Sequence, residues 1–156
     1  MATYHLPDEP RPGALQSAAT DPMWPFLSTM LIGPWFGLAW FVLNGFALGS
    51  PTLKREIALI ALALGGKAIA LLTMFAALEA GWIDKSALPY LYLVAVAVML
   101  SATYGVFMLQ ARTFELFSHF GGESKNGVVV LMLGIAIVRP TVSPLLGSGL
   151  LGLVLR

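Results

Sequence analysis

The chain contains no cysteine, carries histidine only at His5 and His119, and is poor in charge, with 11% Asp, Glu, Lys and Arg among 156 residues. An ordinary soluble domain holds about 25%. Without cysteine there is no disulfide, no thiolate nucleophile and no iron–sulfur or cysteine–zinc site. Two histidines far apart in sequence give little basis for a Ser–His catalytic pair or for axial ligation of haem. The formal net charge of +1 creates no field that would gather nucleic acid. Gly65-Gly66-Lys67 is not a phosphate loop, because the earlier glycine and the hydroxyl residue after the lysine are missing. No cofactor or metal is expected. Glu115 and His119 stand at the i, i+4 spacing of metal ligands, but without a second such pair they read as a helix-surface pair.

What the chain has in abundance is apolar surface. It is 58% hydrophobic, with a mean hydropathy of +0.82, more than a water-soluble core can use. The expected class is therefore all-α, a polytopic integral membrane protein. Four transmembrane helices are expected at about 23–49, 57–78, 86–111 and 127–155, the fourth kinked at Arg139-Pro140. They form one domain, 23–156, behind a disordered polar tail, 1–22, that is rich in proline and lacks a helical period. Asp21-Pro22 supplies an N-cap and first-turn proline for the first helix, which serves as an uncleaved signal. Arg112 to Phe120 either prolongs the third helix or lies in the interface, and Gly121-Gly122 ends it. The segment 127–155 has two readings, one kinked span or a re-entrant hairpin with Arg139 at its tip; the first leads, because 127–138 alone is too short to cross.

Small residues recur at helical spacing. Gly33, Gly37, Gly45 and Gly49 fall on one ridge of the first helix, Ala61 and Gly65 lie in a seam of the second with Ala58 and Ala68, and Ala97, Ser101 and Gly105 repeat the pattern in the third. In lipid such ridges let helices approach closely. Pro34 is expected to kink the first helix and free a carbonyl in its middle. Trp24, Trp82, Tyr90 and Tyr92 form half of an aromatic belt on one side if the helices alternate.

Lys67 and Arg139 are the cations that need an explanation. Each falls near the middle of an apolar span, about 15 Å from either end of a bilayer helix, where a charge costs roughly 2.5–3.5 kcal/mol on insertion scales. No acidic residue shares their depth in the sequence. Carbonyls freed at Gly65-Gly66 and Pro140, a partner's carboxylate, a crevice holding an anionic solute, or lipid phosphates could receive them.

These features point to a non-enzymatic role. The expectation is a small integral subunit, or an accessory or immunity-type partner, acting by helix–helix association as a homo-oligomer or within a larger membrane complex. The alternative is a conduit or binding site for an anionic small molecule lined by Lys67 and Arg139. The lipid bilayer is the expected environment, a bacterial inner membrane, with no nucleic acid partner. A thin excess of basic residues in the odd-numbered connections leaves both termini on the non-cytoplasmic side.

Overall fold

The computed structural model describes residues 10, 13–147 and 149–155, and those residues fold with helices and no strand. Most of the segment expected to be a disordered tail, 1–9 with 11 and 12, lies outside the described residues. Its end is not loose. Ala19 and Thr20 are buried, and Thr20 forms an isolated bridge with Lys125.

The first expected helix is two helices. α1 is Met23–Leu31 and α2 is Pro34–Leu48, and they fold back on each other as an antiparallel hairpin. Asp21 caps the start, its Oδ1 accepting from Met23 N at 2.8 Å. Gly33 breaks the helix with φ 138° and ψ 160°, a backbone region open essentially to glycine alone. Pro34 then starts α2, its fixed φ suited to a first helical position and its missing N–H no loss there. The kink expected at Pro34 is thus a complete reversal. Gly37 makes it possible, because a Cβ there would run into the backbone of Thr29. Gly49, at φ 63°, closes α2 in the left-handed conformation.

α3 (Leu53–Glu79) and α4 (Leu88–His119) form a second, longer antiparallel hairpin, and each is long and apolar enough to cross a membrane. α3 runs unbroken through Gly65-Gly66, where a local break was expected. Gly66 serves packing instead: Val98 of α4 comes within 3.1 Å of where its Cβ would stand. Arg112 to His119 prolongs α4 as one of the two readings had it, and Gly121 at φ 83° follows its end.

The last segment is neither a straight kinked span nor a hairpin tipped at Arg139. α5 (Val128–Leu133) passes through a π-helical stretch, Gly134–Val138, into α6 (Arg139–Val142). The widened turn sits just before Pro140, whose ring and missing N–H disturb the ladder there. Thr141 Oγ1 donates to the Ile137 and Val138 carbonyls, at 2.8 and 3.0 Å. The reversal comes later, through a 3-10 turn at Ser143–Leu146 and Gly147 at φ 71°, and α7 (Leu150–Leu155) returns against α3.

Three apolar clusters stack along the α3–α4 hairpin. Ala19, Ala47, Leu48 and Phe117 lie at one end, Leu38, Phe41, Ile60 and Val106 next, and Leu71, Met74 and Ala95 towards the other, where Leu153 and Val154 of α7 join them. Polar residues separate the clusters. The outer face of both long helices is apolar and open, with Leu62, Ile69, Leu72, Leu93, Val94 and Met108 exposed.

Candidate functional site

Both polar layers arise from one register. The buried positions of α3 are Glu56, Ile60, Ala63, Lys67, Leu71 and Met74, spaced three and four apart. The face of α3 that carries its two buried charges therefore points inward, against α4. The small-residue seam points the other way. Ala58 and Ala61 are exposed, and no atom lies within 4 Å of where a Gly65 Cβ would be. On α4, Ala97 and Ser101 are exposed and Gly105 is half-buried beside Leu59.

The first layer, between the end cluster and the middle one, was not foreseen. Glu56 closes the charged run Lys54-Arg55-Glu56, whose composition suggests an exposed loop, yet it is 1% exposed. Its Oε1 accepts from the hydroxyls of Ser50 and Thr52, and its Oε2 accepts from Gln110 Nε2 at 2.7 Å. Gln110 also donates to the Phe41 carbonyl at 2.7 Å, and its Oε1 accepts from Asn44 Nδ2 at 3.1 Å. Asn44 Oδ1 accepts in turn from Thr20 N at 2.8 Å. The chain of bonds ties the N-terminal segment, α2, α3 and α4 together at one end. Gly45 leaves room for it, since a Cβ there would lie 2.7 Å from Glu56 Oε2 and 3.0 Å from Gln110 Nε2. The available signal was a lone Gln110 in an apolar helix and the Ser50–Thr52–Glu56 spacing at a helix start.

The second layer holds the cations, and the hairpin turn of α1–α2 lies between them. Arg139 is exposed and donates from Nη1 to the Leu31 carbonyl at 2.8 Å. That carbonyl belongs to the last turn of α1, freed by the break at Gly33-Pro34. A guanidinium there also meets the negative end of the helix dipole. So a carbonyl freed by a helix break does receive Arg139, but the break is in the first expected helix rather than at Pro140.

Lys67 is 1% exposed, and its Nζ lies 5.6 Å from the centre of the Tyr92 ring, within cation–π range. It lines a cavity of about 220 Å³ with Thr29, Met30 and Pro34 of the hairpin turn and Val96, Met99 and Leu100 of α4. Arg139 does not line that cavity. The two cations expected to share a site are set on different residues of one turn.

The four glycines of the first ridge are spent inside the protein. Gly33 and Gly49 shape turns, Gly37 admits α1, and Gly45 admits the Glu56–Gln110 pair. Trp24 packs on Gly127, at the end where α3 begins, whereas Trp82 and Tyr90 stand exposed at the other end. The four aromatics therefore do not form a belt on one side; the hairpin reverses the side on which α1 starts. Glu115 and His119 are both exposed, and no group of three or more potential metal ligands exists among the described residues.

Comparison with known protein families, with curated protein sequences and with solved structures finds no match to this chain.

Proposed function

We propose that the protein is a small integral membrane subunit that acts by helix–helix association, offering the outer face of the α3–α4 hairpin to a second transmembrane helix. The observation that carries this reading is the division of small residues between the two faces. The inward stripes of α3 and α4 are filled, while Ala58 and Ala61 on α3 and Ala97 and Ser101 on α4 are exposed, and among the described residues nothing crowds the outer side of Gly65. In lipid, where apolar side chains gain nothing by leaving the bilayer, close backbone approach at such positions drives pairing. Only 22% of the apolar window of each long helix is buried inside the protein, which favours lipid-facing helices over the core of a soluble fold.

On this reading α3 and α4 cross the bilayer, and α1–α2 enters from the end where α3 begins and turns back. Lys54, Arg55, Arg112 and Lys125 gather at that end, against Lys85 at the other. The positive-inside rule then places the start of α3 and the Thr20 segment on the cytoplasmic side. For the Thr20 segment that is opposite to the side read from four simple passes, whereas the start of α3 keeps its side.

Gly65→Leu tests the association. With open space where the new side chain begins, the fold of the single chain should be kept. Light scattering of the detergent-solubilised protein should show the wild-type oligomer or complex dissociated at least about tenfold more easily, a loss of about 1.4 kcal/mol. Unchanged assembly in Gly65→Leu and in Ala61→Leu would reject this face as the contact.

A further inference from the structure

We infer that the cavity beside Lys67 is a binding site for a short aliphatic monocarboxylate, held between the Lys67 ammonium and the N-terminal end of α2. This goes beyond association, and it uses Lys67 without Arg139. Three features converge on it. Lys67 is buried to within 1% of its surface and lines a cavity, whereas a lysine that serves only solubility reaches solvent. Among the described residues its Nζ meets the Tyr92 ring rather than a carboxylate, so the ammonium keeps donors to give.

The second feature is the helix end. Pro34, the first residue of α2, lines the same cavity. It brings no N–H, and Phe36 N and Gly37 N donate to the Gly33 carbonyl, so the helix end contributes the positive potential of its dipole rather than a hydrogen bond. Half-helices that stop inside a membrane protein commonly present that end to an anionic group. The opposing negative end of α1 is covered separately, by Arg139 on the Leu31 carbonyl. The hairpin thus turns the positive end of α2 towards the cavity through Pro34 and has a cation placed on the negative end of α1.

The remaining lining sets the class of ligand. Met30, Val96, Met99 and Leu100 are apolar, and the Thr29 hydroxyl already donates to the Pro25 carbonyl at 3.0 Å. One cation and no acidic side chain line the site, which suits a single negative charge. Phosphate or sulfate would need several donors that the walls do not supply. A carboxylate with a small alkyl body matches one ammonium and apolar walls. About 220 Å³ lies below the range of about 300–1,000 Å³ usual for drug-sized ligands, so the body must be short.

The test uses the full-length chain in detergent micelles, with sodium butyrate as probe and sodium phosphate and sodium decanoate as comparisons. Butyrate should raise the unfolding temperature saturably. Lys67→Met, which keeps an unbranched side chain one atom shorter and removes its charge, should weaken the apparent butyrate affinity by about tenfold or more. Phosphate should give no saturable shift. A second measurement does not depend on the variant folding: in protein labelled with ¹⁵N at lysine Nζ, carboxyl-¹³C butyrate should show a dipolar contact to one lysine nitrogen, lost on filling the cavity with Val96→Phe. Butyrate stabilisation that survives Lys67→Met, or the absence of any ¹³C–¹⁵N contact, would overturn the site. Tighter Lys67-dependent binding of decanoate than of butyrate would overturn the assignment to a short acid.

Discussion

Gln110→Leu is expected to destabilise the protein by about 3 kcal/mol, the range for removing the partner of a buried charged group. The substitution takes a hydrogen-bond donor from Glu56 Oε2 and from the Phe41 carbonyl, and the acceptor from Asn44 Nδ2. Water cannot replace them, because Glu56, Asn44 and Gln110 are each at most 1% exposed. The cost is therefore desolvation left uncompensated rather than the modest net worth of each bond. Equilibrium unfolding in a denaturing-detergent titration measures it. A Glu56→Met, Gln110→Leu double variant should lose at least about 1 kcal/mol less than the two single variants summed, since the groups act as one network. Strict additivity would mean that Glu56 and Gln110 are not coupled.

The second large effect contrasts two glycines. Gly→Ala inside a helix normally stabilises by about 1 kcal/mol, through backbone entropy and helix propensity. Gly65→Ala should do so, because its surroundings are empty. Gly37→Ala should have the opposite sign. Its new methyl would collide with the Thr29 backbone, and backbone cannot rotate away as a side chain can. Overpacking of this kind costs about 1–3 kcal/mol, occasionally more. The damage should be local to α1–α2. Amide exchange there should quicken by up to about a hundredfold, since each 1.4 kcal/mol is a factor of ten, while the middle of α3 and α4 stays protected. Stabilisation by Gly37→Ala would mean that α1 and α2 are not in contact at that point.

The long helices were legible because the signals that define them are local. Apolar length placed α3 and α4, and Asp21 and Gly121 marked helix ends that the structure keeps. The hairpin was not legible, for a physical reason. A glycine followed by proline permits either a kink or a full reversal, and the choice is made by what the two arms then touch. The arms meet through Gly37 and Thr29, and the returning arm is fastened by Asn44 to Gln110, residues 66 positions apart. No local periodicity carries that information. The same blindness made Gly33, Gly37, Gly45 and Gly49 look like an outward ridge. Once the chain reverses at Gly33, the ridge is divided between two turns and two internal contacts.

Lys67 and Arg139 show the mixture in one place. Their need for special partners was readable from charge in an apolar run. Arg139's acceptor could be anticipated only as some freed carbonyl, and the carbonyl proved to be that of Leu31, 108 positions away. Spacing puts Lys67 on one stripe with Ala63, Ala70 and Met74, but it does not say which face of α3 turns inward. Glu56 settles that face, because it shares the stripe and finds its partners on α4 and in the turn just before α3.

Everything proposed for the site depends on α1 and α2 forming a hairpin whose turn lies against Lys67. The absence of cysteine allows a clean measurement. Spin labels on cysteines replacing Met23 and Phe46, both exposed, report the distance between the outer ends of the two helices by pulsed electron paramagnetic resonance. Packed helices have axes about 8–10 Å apart, so the hairpin predicts a distribution centred below about 20 Å. A single continuous helix would separate the labels by about 35 Å at about 1.5 Å per residue. A distribution centred near that longer distance would contradict the hairpin, and with it the placement of the turn against Lys67 and of Arg139 on the Leu31 carbonyl.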